Sequence, residues 1–204
     1  LTLGANSSPI DDIRSIVNRS SGNTGWSISE YLYRMGHDVI CIAGNTSATP
    51  GLKLPDVRHR ASPEEMLNEA KKVSMEESPD VWIFSAAVLD YVPEVIAGKI
   101  PSGDTNISIS LVPTKKHIPE ILTNTEGCIS IGFKLESNIG YPELIDKARL
   151  QMDRYSLDSV VANRLQDLDD PDAPRCWLVD SNGSTTEIAS LQSLCSKIEE
   201  YISS

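Results

Sequence analysis

Short apolar runs that alternate with amphipathic segments constrain the fold of this chain more than any other feature. Four such runs occur, at residues 38–43, 80–85, 128–133 and 159–163. Runs of this length, bounded by turn residues, are typical of buried strands. Segments with helical spacing lie between or beside them, at residues 26–34, 62–75 and 141–155. This alternation predicts an α/β fold, with a mostly parallel central sheet and helices on its faces.

The remaining segments complete the predicted element order. Further strands are expected at residues 1–3, 57–60 and 107–111, a hairpin at 176–188, and helices at 119–122 and 190–202. Residues 92–103 contain proline, glycine and one lysine and are predicted to form a mobile loop. No internal repeat or linker divides the sequence. We therefore expect residues 1–204 to form a single domain with a small hairpin and flap region.

The charge and cysteine content exclude several classes of protein. A net charge of −11 argues against non-specific binding of nucleic acid, which needs clustered Lys and Arg. The four cysteines are widely spaced, so no metal site or disulfide framework is indicated, which fits a reducing, cytoplasmic compartment. No apolar run is long enough to cross a membrane. An anionic substrate would need the few cations to be concentrated locally. The lysines that merit inspection are Lys99, Lys115, Lys116, Lys134 and Lys147.

A polar, glycine-containing segment at residues 18–25 precedes the first predicted helix. It reads Asn-Arg-Ser-Ser-Gly-Asn-Thr-Gly, and the helical spacing begins at Trp26. Free N–H groups and the helix dipole make such a helix N-terminus a binding site for phosphate. A simple helix-capping turn explains the same residues. Gly4, this loop and residues 86–90 all follow predicted strand ends, so they are expected to line one crevice at the carboxyl edge of the sheet.

An ordered set of residues resembles the phosphopantothenoylcysteine synthetases, the ligases of coenzyme A biosynthesis. Single matches are weak, but their order along nearly the whole chain is specific. The matching segments are 4–6, 9–11, Arg14, 18–25, 85–91, 99–100, 132–133 and 160–163. The sequence has no room for the flavin-binding decarboxylase domain of many bacterial relatives, so the free-standing form is expected. The resemblance implies a Rossmann-like three-layer fold.

The resemblance also implies a reaction. Members of the family join 4'-phosphopantothenate to cysteine with a nucleoside triphosphate, ATP or CTP, and Mg²⁺. The carboxylate attacks the α-phosphate, pyrophosphate leaves, and the cysteine amine then displaces the nucleotide. The family is usually homodimeric. The resemblance implies that Arg14 reaches the substrate phosphate across the dimer interface. A dimer is also expected because no partner for Arg14 is evident within its own segment.

Site residues follow from the resemblance position by position. Nucleotide binding is implied for Gly4, Ser20, Gly22, Gly25, Phe133, Lys147 and Asn163. Substrate binding is implied for Arg14, Asn18, Ala86, Ala87 and Asp90. Asn18 and Lys99 are the expected catalytic residues, with Asn18 between the substrates and Lys99 closing over the site. No metal ligands are assigned.

Each of these residues also has an ordinary structural explanation. Phe133 could be a core residue, and Asn18 and Asn163 could form turns. Asp90 could cap a helix, and Arg14 and Lys99 could be solvated. Departures from the common bacterial pattern near Lys99, and Gln151 one turn after Lys147, favour ATP slightly over CTP.

Two alternative functions remain open at this stage. One is an NAD(P)-dependent oxidoreductase, although the first strand lacks G-x-G-x-x-G and the second ends in Gly44 and Asn45 rather than an acidic residue. The other is a catalytically silent nucleotide-binding protein on the same fold.

Overall fold

Twelve strands and five helices make up the computed structural model, which describes residues 1–103, 106–123, 125–168 and 170–204. The strands are β1 (Thr2–Leu3), β2 (Ser7–Pro9), β3 (Ser15–Val17), β4 (Ile40–Ala43), β5 (Asp56–His59), β6 (Val81–Phe84), β7 (Tyr91–Pro93), β8 (Leu111–Pro113), β9 (Ile129–Glu136), β10 (Ser159–Arg164), β11 (Cys176–Asp180) and β12 (Thr185–Ile188). The helices are α1 (Asn23–Arg34), α2 (Pro63–Glu76), α3 (His117–Leu122), α4 (Tyr141–Tyr155) and α5 (Leu191–Ile202), with a 3₁₀ turn at Leu165–Asp167.

Eight of the strands form one central sheet in the order β5-β4-β1-β6-β9-β10-β11-β12. The first six are parallel to one another, β11 runs antiparallel to β10, and β12 runs antiparallel to β11. The chain proceeds outward from β1 through β4 to β5, then returns to the other side of β1 with β6. The crossover direction therefore reverses between β1 and β6, and ligands of such sheets collect at the carboxyl ends of the strands beside this point.

Helices cover both faces of this sheet. One core cluster packs α1 and α5 against the sheet and includes the fully buried Ile28 and Ile198. The other packs α2, α3 and α4 against the opposite face and includes Met66, Ile121 and Leu144, all with no exposed surface. Each such side chain contributes about 1.5–3 kcal/mol on burial. The predicted three-layer α/β fold is confirmed.

Local sequence signals explain most of the observed boundaries. Ser62 and Glu65 form a capping box at the start of α2, with proline at the first helical position. Gly36 follows α1 with φ of +98°, a conformation that stops a helix at low cost for glycine. Helix α1 begins at Asn23, three residues before the predicted start. The prediction used the spacing of apolar residues, which begins at Trp26, and could not detect the polar first turn.

Two small hairpins stand apart from the central sheet. Strands β2 and β3 form one, and β7 and β8 form the other. The prediction of a strand at 107–111 was wrong, because only Leu111 of this segment belongs to a strand and pairs with Pro93. The alternating isoleucines Ile107 and Ile109 remain 56% and 39% exposed. Their alternation matches a strand pattern, but in the described part of the chain it meets no partner strand.

Within the described ranges, no helix combines the length and the apolar character needed to cross a bilayer. All four cysteines are free thiols, and three of them are buried.

Candidate functional site

A cavity of about 1470 Å³ opens at the carboxyl edge of the central sheet. Its wall is formed by the loop before α1, the segment after β6, the end of β9 and one face of α4. It therefore lies where the crossover direction reverses, as the strand order predicts.

Most of the residues chosen from the sequence meet in this wall. Those in contact with the cavity are Asn18, Ser20, Gly22, Gly25, Ala86, Ala87, Asp90, Phe133, Lys147 and Asn163. Three others, Gly4, Arg14 and Lys99, lie outside the wall. These residues come from five parts of the chain, from the loop before α1 to β10, and the sheet topology brings them together.

The start of α1 offers unpaired backbone donors to this cavity. Gly22 is the N-cap residue with φ of +78°, and glycine has no side chain that could cap the helix. The Ser20 hydroxyl accepts from the Gly22 amide at 3.3 Å, and the Ser21 hydroxyl accepts from the Asn23 amide at 3.2 Å. In the described part of the chain, the next two amides, of Thr24 and Gly25, have no acceptor. This end of the helix can therefore hold an anion.

Close packing explains the glycines around this loop. A Cβ on Gly25 would lie 2.4 Å from Leu3 Cβ and 2.8 Å from Ser85 Oγ. A Cβ on Gly22 would lie 2.5 Å from the methyl carbon of Thr46, and one on Gly4 would lie 2.8 Å from the same atom. The absence of side chains lets α1 and its loop sit directly against the strand ends.

Asn18 connects the loop to the strand ends on either side of the reversal. Its side-chain Nδ2 donates to the Ala87 carbonyl at 3.1 Å, and its backbone N donates to the Asn6 carbonyl at 3.3 Å. The Ala87 amide donates to the Gly4 carbonyl at 2.8 Å. Gly4 thus fixes the position of Ala87 although it does not line the cavity. The side-chain amide of Asn18 is held in one orientation at the surface of the cavity.

Positive charge is concentrated in the cavity wall although the chain is acidic. The lining cations are Arg19, Lys115, Lys116, Lys134, Lys147, Arg154 and Arg175, against the two carboxylates Asp90 and Glu136. The chain as a whole carries a net charge of −11. A wall with this excess attracts polyanionic ligands such as phosphates.

Ion pairs orient several of these cations. Lys134 and Lys147 contact Glu136 at 2.8 and 3.0 Å, and Lys116 pairs with Asp90. The Lys134 ammonium lowers the pKa of Glu136, and Glu136 in turn raises the pKa of Lys147. Glu136 and Lys147 are therefore both charged at neutral pH.

The sequence reasoning assigned no role to the three arginines that line the cavity, Arg19, Arg154 and Arg175. Arg154 could have been found, because positions 147, 151 and 154 share one face of a helix. Arg19 lies inside the loop that attracted attention for its serines and glycines. Arg175 had no local signal, since its approach to the loop depends on the position of β11 in the sheet.

Arg14 and Lys99 occupy one corner outside the wall. Arg14 Nη1 contacts Asp11 Oδ2 at 2.5 Å and donates to the Ile100 carbonyl at 3.2 Å. The premise that Arg14 has no partner in its own segment was therefore wrong. The Ile100 amide, with further donors, lowers the pKa of Asp11 to about 2. Lys99 is exposed and directly precedes Ile100, which takes part in these contacts.

His117 closes the wall at the start of α3. Its side chain is buried, with a residue exposure of 7%, and burial lowers its pKa to about 4. It is therefore neutral at pH 7 and adds no charge to the cationic wall.

No group of three His, Cys, Asp or Glu side chains within the described residues could hold a metal ion. The carboxylates of the wall are already paired with lysines. The residues present therefore fit a metal carried by a phosphate ligand better than one held in a protein cage.

The chain is similar in sequence to curated proteins of coenzyme A biosynthesis. The Coenzyme A biosynthesis bifunctional protein CoaBC of Thermococcus kodakarensis is 35% identical over 167 residues, which is 81% of this chain and 41% of that protein. This chain spans less than half the length of the curated relatives it matches.

Two solved structures share the fold. The DNA/pantothenate metabolism flavoprotein from Streptococcus pneumoniae superposes with a TM-score of 0.84 at 26% identity, covering 98% of this chain and 97% of that one. A Cab2 mutant in complex with phosphopantothenate-cysteine superposes with a TM-score of 0.81, covering 99% of this chain and 85% of that one. At 19% identity, the second likeness concerns the fold alone.

A family model described as the DNA/pantothenate metabolism flavoprotein C-terminal domain matches residues 1–203, almost the whole chain. The chain belongs to this family.

Proposed function

We propose that this protein is a ligase of coenzyme A biosynthesis that joins 4'-phosphopantothenate to cysteine through an acyl-nucleotidylate. The observation that carries the proposal is the cationic cavity, which meets the unpaired amides of Thr24 and Gly25 at the reversal point of the sheet. A triphosphate and a phosphorylated acid are both anions, and their repulsion is the main obstacle to the first step. The family relationship and the names of the CoaBC relatives support the same reaction.

In the first step, a carboxylate oxygen attacks the α-phosphorus and the bond to the β-phosphate breaks, releasing pyrophosphate. Donors already oriented toward the developing charge lower such a barrier without reorganisation. We assign Ser20, Gly22 and Gly25 to the nucleotide phosphates. Asn18 would orient the carboxylate and acyl phosphate beside Ala87 without adding charge.

In the second step, the cysteine nitrogen attacks the acyl carbon and the bond to the nucleotide oxygen breaks. This step needs a neutral amine held next to an activated acyl group, so positioning can supply most of the rate. Ala86, Ala87 and Asp90 are assigned to the phosphopantothenate. Phe133 and Asn163, on β9 and β10, also line the cavity, and we assign them to the nucleotide.

We favour ATP slightly over CTP, on the departures near Lys99 and at Gln151. Lys147 is assigned to the triphosphate. Mg²⁺, bound through triphosphate oxygens, would supply charge neutralisation at the reacting phosphate.

We further propose that residues 1–204 act as one domain in a homodimer. Exposed apolar side chains support the dimer, because they cluster on the two hairpins, where β2 packs beside β7. This hairpin surface consists of Ile13, Val17, Tyr91, Val95, Ile96, Ile107, Ile109, Leu111 and Val112, each at least 38% exposed. Large apolar patches of this kind mark interfaces. Arg14, at the edge of this surface, would then reach the substrate phosphate of the other subunit.

Release of pyrophosphate tests the proposal. The protein is incubated with phosphopantothenate, cysteine and each of the four nucleoside triphosphates in turn, and each component is omitted in a control. We expect release with ATP that depends on phosphopantothenate, and peptide formation that also depends on cysteine. Nucleotide binding without release would favour the catalytically silent alternative. The comparisons do not favour the oxidoreductase alternative.

A further inference from the structure

Arg175 contacts the start of α1 from a part of the chain that is distant in sequence. It directly precedes β11, which runs antiparallel to β10, so the beginning of β11 lies at the carboxyl edge of the parallel strands. Its guanidinium Nη2 donates to the Thr24 hydroxyl at 3.0 Å across 151 positions of sequence. The side chain is half-buried and lines the cavity.

The start of α1 is an unfavourable place for the Arg175 guanidinium unless an anion binds there too. The positive end of the helix dipole lies at the first turn of α1, and that turn contains no acidic residue. Among the described residues, the hydrogen-bond partner of the Arg175 guanidinium is a neutral hydroxyl. A ligand phosphate between the guanidinium and the helix would offset both positive charges.

The geometry of the side chain suits a phosphate. A guanidinium carries five N–H donors in a planar fork that matches phosphate oxygens. One of these donors is used by Thr24, which fixes the plane of the group and leaves the remaining donors for a ligand. The unpaired amides of Thr24 and Gly25 lie on the same turn, so one anion can accept from both sets of donors.

We propose that Arg175 binds the β- and γ-phosphates of the nucleotide and that Thr24 is its positioning residue. The inference rests on the proposed function and adds to it a residue that recognises the leaving group. The α-phosphate must lie beside the carboxylate near Asn18, at the other end of the loop. The two outer phosphates carry most of the negative charge of a triphosphate, and they become the released pyrophosphate.

Calorimetric titration with ATP and with AMP separates recognition of the outer phosphates from recognition of the rest of the nucleotide. Arg175→Gln should raise the Kd for ATP about tenfold or more, because a charged, forked contact is lost. The Kd for AMP should change by less than about twofold. Arg149→Gln is the matched control, since Arg149 is exposed on α4 and pairs with Asp146 outside the wall. Equal losses for ATP and AMP, or no loss, would overturn the inference.

Thr24 provides a second test that does not remove the charge. Thr24→Val keeps the side-chain volume but removes the hydroxyl acceptor. It should raise the Kd for ATP about threefold and leave the Kd for AMP unchanged. Thr24→Ser should restore the ATP affinity. If Arg175→Gln does not fold, the comparison of Thr24→Val with Thr24→Ser tests the inference alone. Equal affinity for ATP in these two variants would refute the positioning role of Thr24.

The two proposals fail in different ways. A parent protein that binds neither ATP nor CTP and releases no pyrophosphate contradicts the ligase itself. A parent protein that is an active ligase, with Arg175→Gln retaining full affinity for ATP, contradicts the role of Arg175 alone.

Discussion

At the scale of single residues, the approach of α1 to the sheet depends on Gly25. This residue lies in the first turn of α1, close to Leu3 and Ser85. The amides proposed to bind phosphate are fixed only while α1 keeps this distance from β1. A small residue here therefore links packing directly to the geometry of the site.

Gly25→Ala should be destabilising and should weaken nucleotide binding. Its Cβ would lie 2.4 Å from Leu3 Cβ, so the helix or the strand must shift. We expect a loss of about 1–3 kcal/mol in the free energy of unfolding, measured by urea denaturation. Gly103→Ala is the control, because among the described residues a Cβ there has no neighbouring atom within 4 Å. Equal stability of the two variants would contradict the packing argument.

His117 should make stability depend on pH. Burial lowers its pKa from 6.5 to about 4, so between these values the unfolded chain binds a proton that the folded chain does not. The stabilisation is complete above about pH 6.5 and is lost as the pH falls toward 4, by about 3 kcal/mol at most.

His117→Gln should remove this contribution. Urea denaturation at several pH values between 7.5 and 4.5 should show a smaller loss of stability in the variant than in the parent. His59→Gln, at an exposed position on β5, should behave like the parent. The same pH slope in all three proteins would show that His117 does not titrate in this way.

The ordered resemblance to the synthetase family identified ten wall residues, which lie in the loop and first turn of α1, after β6, in β9 and β10, and on α4. The same reasoning could not find Arg175. Its role depends on β11 being antiparallel and on which neighbour it has in the sheet, neither of which leaves a local pattern.

At the scale of elements, the loop that carries Lys99 is attached to the hairpin of β2 and β3. The Ile100 amide donates to Asp11 at 3.0 Å, and the Ile96 amide donates to the Ile10 carbonyl at 2.9 Å. The two attachments lie on either side of Lys99. If Lys99 acts in the reaction, the loop must close by movement of this side chain or of the hairpin with it.

Lys99→Ala tests that role. We expect ATP affinity to stay within about twofold of the parent, while pyrophosphate release slows about 100-fold, because the charge is needed only as the α-phosphate reacts. Lys53→Ala, at another exposed lysine, serves as the control. Unchanged turnover would remove Lys99 from the mechanism.

Helices and strands were predicted most accurately where their apolar side chains pack against another element of the fold. Helix α4 spans Tyr141–Tyr155 as its spacing predicts, since its apolar face packs on the sheet. The alternation at 107–111 gave a wrong strand because an exposed apolar surface follows the same pattern. Periodicity reports which side chains could share a face, not whether that face is covered within one chain.

At the scale of the whole molecule, we expect two copies of the chain to associate through the hairpin surface, which would then be buried in the dimer interface. Sedimentation at micromolar concentration should give about twice the 22.3 kDa of the chain. Val17→Lys with Leu111→Lys should give a monomer with little ligase activity, because Arg14 could no longer reach the other subunit. Met75→Lys, at a 65% exposed position on α2, should remain dimeric. A fully active monomer would contradict both the interface and the role of Arg14.

The central claim is that a nucleotide phosphate binds at the start of α1 while a carboxylic acid lies beside Asn18. A crystal structure of the protein soaked with phosphopantothenate and a non-hydrolysable ATP analogue tests it most directly. We expect phosphate oxygens within hydrogen-bonding distance of the Thr24 and Gly25 amides, and the carboxylate next to the Asn18 side chain. Ligands bound elsewhere, with this turn empty, would contradict the account.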